Sequence, residues 1–332
     1  MCFMKKAWAV MSGVVLFFSA VFLMNSKADI PRAQPVQLIR AENSYIYGSN
    51  VLSLQLTTFT NSTAFLTINV PGASTNNVYN LFFTTNLENA TAWSRVMRCE
   101  PCQTNPIVSN LPPTQGFFML GGPIRPGFDQ QVLAPNDDGS TGLVPLPFNI
   151  NFLSNSESAL YINNNGNVTF DKPLSTYSPV NLSAAGMKII APFWADVDTR
   201  GTGSSAVTYG TNIVQGYSAF GVDWVNVGYY AYHADALLSC QLVIINRSDI
   251  AAGDFDLEFN YNRVEWQWGD VSVGDPPRAG FSDGIVDDEL PGSGVNGAFM
   301  DTNTVTGLVY NSLNTPVLGR YLFFFRDGQP LP

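Results

Sequence analysis

No long stretch of this sequence carries the period of 3.6 residues that marks an amphipathic helix. Short runs of β-branched and aromatic residues are instead separated by turn formers, and the chain contains 28 Gly and 21 Pro. Residues 51–56 alternate apolar and polar side chains, whereas residues 237–245 are almost continuously apolar. The first pattern is typical of a half-buried strand and the second of a central strand buried on both faces. The sequence therefore predicts an all-β fold of many short strands.

The N-terminal residues have the form of an export signal. Lys5 and Lys6 precede an uncharged apolar run over residues 7–24, and small residues at 26 and 28 provide a cleavage site. We interpret residues 1–28 as a cleaved signal peptide, which predicts an extracellular or cell-surface location. The alternative is a retained anchor, because the run reaches the lower limit of about 18 residues that can span a bilayer. No second apolar run of that length follows, so we expect no membrane span after cleavage.

Turn-rich segments divide the exported chain into two predicted domains. Residues 29–36 form a lead-in, and residues 37–122 carry turn formers at intervals of about 8–12 residues, which suits a small β-sandwich. Residues 123–127 contain Pro and Gly and are interpreted as a linker. Residues 128–328 form a second, larger β domain. We therefore predict two β-sandwich-like domains after the signal peptide.

The charge of the chain restricts its partners. It has 26 Asp and Glu against 16 Lys and Arg, a formal net charge of −10, and three of the lysines belong to the predicted signal peptide. Nucleic acid is excluded as a partner class, because its phosphates require clustered Lys and Arg. The same charge argues against a basic patch for membrane surfaces. Neutral partners, cationic partners and partners bridged by metal ions remain.

Segments of the second domain resemble, in the same order, the nidogen-like (NIDO) extracellular domain. The resemblance extends over about residues 136–328, is strongest over 189–328, and is carried by residues 160–166, 190–200, 220–229, 253–261 and 278–282. It implies an extracellular protein that acts in cell–matrix adhesion or extracellular protein interaction, and it implies no catalytic residues. The first domain resembles β-rich modules of secreted bacterial proteins, and together with the N-terminal signal it favours a bacterial source.

Two oxygen-rich loops are candidate calcium sites. Residues 196–198 and 136–139 concentrate carboxylates and amides, and calcium binds oxygen ligands in flexible geometry. The candidate ligands are Asp196, Asp198, Asn136 and Asp138. Arg200 and Val207 stand where an EF-hand requires ligands, so the first loop is not an EF-hand. The alternative is that these side chains only hydrogen-bond the backbone of their own turns.

Three carboxylates and two tryptophans form a candidate interaction face. Asp254, Asp256 and Glu258 alternate along a predicted strand and therefore share one face. Trp266 and Trp268 also alternate, and an exposed pair would offer a platform to a sugar or a protein. The alternatives are the solvated face of a half-buried strand for the acids and core packing for the tryptophans. A glycoside hydrolase would use Asp256 and Glu258 as its two carboxylates.

Cys99 and Cys102 form a C-x-x-C sequence. In an exported β-rich segment this spacing favours a small structural disulfide over redox chemistry, and no second cysteine pair exists to complete a zinc site.

These observations together predict a non-catalytic, secreted or cell-surface module. Its expected partner is an extracellular matrix or cell-surface protein or glycan. A carbohydrate-binding or matrix-scaffolding module is the first alternative, and a glycoside hydrolase is the second. Calcium is the cofactor that the sequence suggests.

Overall fold

A computed structural model describes residues 123–315 and 317–331, together with shorter segments before them: 46–47, 50–51, 53–60, 63–69, 79–84, 94–99, 105, 107–109 and 117–121. The predicted signal peptide, the lead-in and Cys102 lie outside the described residues, as does the side chain of Cys99. The disulfide therefore stays a prediction. The chain divides into two units, residues 1–122 and residues 123–332.

The first unit contains, in its described residues, one hairpin and two three-stranded antiparallel sheets. The hairpin pairs β1 with β2, and the sheets have the strand orders β3-β4-β7 and β6-β5-β8. Leu81 and Phe83 are two residues apart on β5 and both are buried, as strand alternation requires. The strands are β1 (Ile46–Tyr47), β2 (Asn50–Val51), β3 (Ser53–Thr60), β4 (Thr63–Asn69), β5 (Tyr79–Thr84), β6 (Ser94–Cys99), β7 (Ile107–Val108) and β8 (Phe117–Gly121).

The second unit is built of two larger antiparallel sheets. One has the order β10-β11-β12-β13-β19-β20, and the other β22-β21-β18-β17-β16-β15-β9, with β14 paired to β16. Two short 3-10 helices span Leu182–Ala185 and Leu308–Tyr310. The strands are β9 (Gln131–Leu133), β10 (Val144–Phe152), β11 (Asn155–Asn163), β12 (Asn167–Thr169), β13 (Ile189–Trp194), β14 (Val197–Asp198), β15 (Val207–Val214), β16 (Tyr217–Tyr229), β17 (His233–Asn246), β18 (Phe255–Val264), β19 (Arg278–Ser282), β20 (Asp287–Glu289), β21 (Arg320–Arg326) and β22 (Gln329–Pro330).

Apolar side chains from both large sheets meet in one continuous core. Ile190 and Phe193 of β13 are buried in the same cluster as Trp224, Leu242 and Phe259 of the facing sheet. Burying each of these side chains contributes roughly 1.5–3 kcal/mol. The second unit is thus a β-sandwich, and the all-β prediction is confirmed. In the part of the chain that the structure describes, no helix is long and apolar enough to cross a membrane.

Residues 123–128, which we call the strap, cross the outer face of the eight-stranded sheet. Arg125 and Phe128 are buried there, and Phe128 packs with Val243 in a second apolar cluster. The Phe128 ring lies so close to Gly221 that a Cβ at that position would be 2.4 Å from it. Residues 123–127, interpreted from the sequence as a linker, therefore lie within the second unit.

Buried polar side chains attach the strap to the sheet. The guanidinium of Arg125 donates two hydrogen bonds of 2.6 Å to the carboxylate of Glu258. The carboxamide of Gln241 bonds the backbone N–H and carbonyl of Arg125 at 2.9 and 2.7 Å, as a neighbouring strand would. Arg320 donates to the carbonyl of Pro123 at 2.7 Å, and its Nε lies 3.6 Å from Glu258. Two guanidinium groups thus compensate one buried carboxylate.

Asp223 of β16 lies beside this network. It accepts a hydrogen bond of 2.7 Å from Gln241. Burial raises the pKa of Asp223 to about 8, although the hydrogen bond from Gln241 lowers it. The folded protein therefore binds a proton at this carboxyl that the unfolded chain releases near pH 4.

We expect Glu258→Gln to lower the free energy of unfolding by about 3–5 kcal/mol, because it leaves two buried guanidinium groups without their counter-charge. Chemical denaturation at neutral pH measures this loss. Glu265→Gln is the matched control, since Glu265 is exposed, and it should change stability by less than about 0.5 kcal/mol. Equal effects of the two substitutions would show that the Arg125–Glu258 pair is not a stabilising contact.

We expect Asp223→Asn to remove a pH-dependent loss of stability. Because the folded-state pKa of Asp223 is raised above its unfolded value, the wild type should lose up to about 1.4 kcal/mol per pH unit between pH 4 and pH 8. The variant should lack this slope and be the more stable protein at pH 8. Denaturation curves across this range give the slope, and Asp235→Asn, at an exposed carboxyl, should keep it.

Candidate metal centre

Two aspartate-containing loops of the second unit meet beside the turn between β11 and β12. Residues 134–139 follow β9, and residues 195–199 follow β13. Thr199 joins the loops directly, because its N–H donates to the carbonyl of Asn136 at 3.0 Å. The N–H of Asn136 in turn donates to the Thr199 hydroxyl at 2.9 Å. The fold therefore brings together the two loops that the sequence selected separately.

The side-chain amides of Asn164 and Asn165, which we call the asparagine turn, hold both loops. Asn165 donates to Asp138 Oδ1 at 2.7 Å and accepts from the N–H of Val197 at 3.0 Å. Asn164 donates to the carbonyls of Asp137 and Val197. Both asparagines are buried, so each bond forms away from water and fixes the position of a loop.

Gly166 explains why this turn fits so closely against β13. Its φ of +73° lies in the left-handed region, which favours glycine. A Cβ at this position would be 1.8 Å from the carbonyl oxygen of Phe193. A side chain is therefore excluded, and the turn can approach the strand that leads into the second acidic loop.

Three carboxylates converge between the loops. Oxygen atoms of Asp137, Asp138 and Asp196 lie within 4.8 Å of one another. Asp196 is buried and accepts a hydrogen bond of 2.8 Å from the hydroxyl of Ser272, while Oδ1 of Asp137 is buried without a hydrogen-bond partner among the described residues. These are hard oxygen donors of the kind that calcium prefers, and backbone carbonyls and water would complete its coordination.

Burial and electrostatic repulsion raise the pKa values of two carboxyls in this cluster. Burial raises the pKa of Asp196 to about 6, the Ser272 hydroxyl lowers it, and the charges of Asp137, Asp138 and Asp198 raise it. Burial and the charge of Asp138 also raise the pKa of Asp137, although the charge of Arg200 lowers it. The cluster is thus held in place by the Asn165 amide, the Ser272 hydroxyl and the Arg200 guanidinium, which lies 3.0 Å from Oδ2 of Asp137. A bound cation would relieve the remaining repulsion among the carboxylates.

Asp198, predicted as a ligand, is bonded to Arg200 in this structure. Both of its oxygens face the guanidinium of Arg200, at 2.9 and 2.7 Å, and they also accept the backbone N–H groups of Arg200 and Tyr232. Burial alone would raise the pKa of Asp198, but these bonds lower it. The carboxylate is therefore fully engaged, and Asp198 anchors Arg200 where its guanidinium also reaches Asp137 at 3.0 Å.

Asn136, also predicted as a ligand, is used within its own loop. Its Oδ1 accepts the N–H of Gly139 at 2.6 Å, and its Nδ2 donates to the carbonyl of Ala134 at 2.7 Å. This is the turn-stabilising alternative that the sequence left open. Asp138 and Asp196 are the two predicted ligands that the structure brings together.

Sequence reasoning missed Asp137 and Asn165. Asp137 lies in the predicted oxygen-rich turn but is not among the candidate ligands, because the sequence does not show which carboxylates of a tight turn point towards the other loop. Asn165 belongs to a run of four residues, Asn163-Asn164-Asn165-Gly166, which was read only as part of a family resemblance. Such a run of amides before a glycine can bond to several backbone groups at once, and this property indicates a turn that can hold neighbouring loops.

The predicted acidic face exists, but its carboxylates are buried. Asp254, Asp256 and Glu258 do share the outer face of β18, yet all three are buried. Asp256 accepts from Arg247 at 2.9 Å and from Arg326 at 2.6 Å, and Glu258 is paired as described above. Since guanidinium groups cover them, these carboxylates are not available to a partner in this structure.

The two tryptophans do not form an exposed platform. β18 ends at Val264, so residues 265–269 are not a strand and their side chains do not alternate as predicted. Trp266 is buried against Phe193 at a ring-centroid distance of 5.8 Å, and its indole N–H donates to Val227 at 3.2 Å. Trp268 is half-buried.

Comparisons with known proteins identify relatives of this chain. Alpha-tectorin from Mus musculus and from Homo sapiens are each 29% identical to it over 188 residues, which cover 47% of this chain and 8% of the relative. Alpha-tectorin from Gallus gallus is 25% identical over 187 residues, covering 47% of this chain and 9% of the relative. The chain thus spans less than a tenth of the length of these curated relatives, which give no support to a bacterial source. No solved structure matches.

Residues 125–305 match the family model described as NIDO related. The matched segment is more than half of the chain and contains both acidic loops, the asparagine turn and β18. The resemblance read from the sequence is confirmed, and together with the relatives it supports a non-catalytic extracellular module. This chain therefore belongs to the NIDO-related family.

Proposed function

We propose that this chain is a secreted or cell-surface, non-catalytic module that mediates cell–matrix adhesion through its second unit. The family match over residues 125–305 carries the proposal, because the NIDO resemblance implies extracellular placement and adhesion. The expected partner is an extracellular matrix or cell-surface protein. Function in such a module resides in surface residues, since the fold by itself names no ligand.

The state of the carboxylates on β18 supports a non-catalytic role. A glycosidase needs a general acid whose pKa is raised. Burial alone would raise the pKa of Glu258, but the guanidinium groups of Arg125 and Arg320 lower it to about 2. Asp256 is likewise paired with two arginines. These two residues therefore lack the properties of an acid–base pair.

The position of Trp266 removes the aromatic platform that the sequence predicted for a glycan. Sugar binding usually relies on an exposed aromatic face against which a pyranose ring can stack. Trp266 belongs to the sandwich core, so the predicted Trp266–Trp268 platform is not offered to solvent.

Binding to extracted matrix tests the adhesion proposal. We expect the labelled secreted protein to bind saturably to intact cells of the source organism and to their extracted extracellular matrix. An unrelated acidic β-sandwich of similar size controls for charge and for nonspecific adsorption. Binding no greater than that of this control, with calcium and with chelator, would refute adhesion as the function.

We further propose that Asp137, Asp138 and Asp196 bind calcium. The observation that favours this second role is the convergence of their oxygens within 4.8 Å, with one buried oxygen of Asp137 left without a hydrogen-bond partner among the described residues. The donor set fits a hard cation. Calcium bound there would link the two acidic loops and reduce the repulsion between them.

Thermal unfolding tests the calcium proposal. A cation that binds only the folded protein stabilises it by about 2.7 kcal/mol at a hundredfold excess over Kd, which corresponds to a melting shift of several degrees. We expect this shift in calcium relative to EDTA, a smaller shift in magnesium, and loss of the shift in Asp138→Asn. Asp129→Asn is the matched control, at an exposed carboxyl elsewhere, and should keep it. Identical melting of the wild type in calcium and EDTA would contradict the site.

A further inference from the structure

Three apolar side chains are exposed on two loops next to the acidic cluster. Tyr232, in the turn that joins β16 to β17, is 59% exposed, and Val271 and Val273, in the loop after Trp268, are 59% and 67% exposed. Single exposed apolar residues are common and need no explanation. A group of them on neighbouring loops is a feature of surfaces that bind partners.

Hydrogen bonds place these two loops side by side. The N–H of Asp270 donates to the carbonyl of Tyr230 at 3.2 Å, and the imidazole of His233 lies 3.1 Å from the carboxylate of Asp270. These contacts flank Tyr232 on both sides along the chain. The apolar residues therefore belong to one neighbourhood of the second unit.

The loop that carries the valines is held in its conformation by a buried anchor. Ser272, between the two valines, is 1% exposed, and its hydroxyl donates to Asp196 at 2.8 Å and accepts the N–H of Gly269 at 2.8 Å. Because Ser272 points inwards, Val271 and Val273 are turned to solvent. The hydrogen bond from Ser272 to Asp196 thus holds this loop in a conformation in which both valine side chains are largely exposed.

Tyr232 is fixed in a similar way. Its N–H donates to Asp198 at 3.0 Å, and the guanidinium of Arg200 lies 4.3 Å from the centre of its ring. Arg200 is itself engaged by Asp198 and Asp137. One face of the tyrosine ring is therefore covered, and the rest of the side chain remains exposed on a rigid support.

The charge around these apolar residues selects the kind of partner. The carboxylates of Asp235 and Asp270 are 72% and 65% exposed, and Asp275 is half-buried at the end of the valine loop. The three-carboxylate cluster lies behind them. Acidic groups beside an apolar surface favour a partner that carries both cationic and apolar side chains, because opposite charges raise the association rate and specificity.

We propose that the surface formed by Tyr232, Val271, Val273, Asp235, Asp270 and Asp275, which we call the loop surface, binds a segment of a partner protein rich in Lys or Arg and apolar residues. This inference rests on the proposed adhesion function and names the part of the molecule that performs it. An anionic membrane is the disfavoured occupant, since its headgroups repel the exposed aspartates.

Binding of designed peptides to the full-length secreted protein tests this inference. Three labelled peptides of equal length alternate Lys with Leu, Lys with Ser, and Glu with Leu, and their affinities are measured by fluorescence anisotropy in calcium-containing buffer. We expect the Lys–Leu peptide to bind roughly tenfold or more tightly than either of the others, a difference of about 1.4 kcal/mol. The advantage over Glu–Leu should shrink at high salt, because exposed charges are screened.

Paired valine substitutions locate the binding. Val271→Ser with Val273→Ser should weaken Lys–Leu binding roughly tenfold, in line with two lost apolar contacts. Val295→Ser with Val305→Ser is the matched control, since these valines are also exposed but lie on other loops, and it should leave the affinity unchanged. All four side chains are exposed, so melting curves should confirm that both variants are folded.

Three results would overturn the loop surface as a protein-binding site. They are equal losses in the two variant pairs, equal binding of the Lys–Ser and Lys–Leu peptides, and valine-dependent binding to phosphatidylserine vesicles without peptide binding. Matrix binding of the wild type and of the Val271/Val273 variant, measured in parallel, separates the two proposals. Matrix binding by both proteins would contradict the loop surface alone, whereas no matrix binding by the wild type would contradict adhesion itself.

Discussion

The hydrogen bonds of two buried amide side chains, those of Asn164 and Asn165, determine the arrangement of the whole loop region. Each amide both donates and accepts, so two residues satisfy backbone groups and a carboxylate on loops that are distant in sequence. The same turn approaches β13 only because Gly166 has no side chain. Without these amides the Asp138 carboxylate would lose its hydrogen bond, and both acidic loops would lose their backbone contacts to the turn.

The arginines of the second unit are distributed unequally among its acids. Arg125 and Arg320 compensate Glu258, and Arg247 and Arg326 compensate Asp256, so these two buried carboxylates of β18 are neutralised. At the loops, Arg200 pairs with Asp198 and reaches Asp137. Asp138 and Asp196 are held there by an amide and a hydroxyl. The excess negative charge of the chain is therefore concentrated where a cation or a basic partner can approach it.

The sequence predicted which side of a strand a residue occupies better than it predicted what covers that side. Alternation correctly placed the three acids of β18 on one face, and Phe255, Leu257 and Phe259, which alternate with them, lie in the core. It gave no indication that Arg125, 133 residues away, would lie over Glu258. The error at Trp266 has another cause, because the strand ends two residues earlier and alternation no longer applies.

For the candidate site, too, the sequence predicted the type of residue but not its partners. The composition of the two loops indicated oxygen ligands and selected Asp138 and Asp196, whose carboxylates the structure brings together. Asp198 is instead bonded by Arg200, which lies only two residues further along the chain. An acid and an arginine two residues apart in the sequence indicate that such a pair can form. Asp137 and the contribution of the asparagine turn required the three-dimensional structure, because they depend on how separate turns meet.

The strap provides a short route by which force can pass from the start of the second unit into its eight-stranded sheet. The chain enters this unit at Pro123, whose carbonyl is bonded to Arg320 of β21, and Arg125 is bonded to Glu258 of β18, the strand paired with β21. A tensile force applied at Pro123 and at β21 is therefore carried by adjacent strands and by charge-assisted hydrogen bonds loaded together. The acidic loops lie outside this path. An extracellular module built in this way can transmit tension while the geometry of its loops stays unchanged.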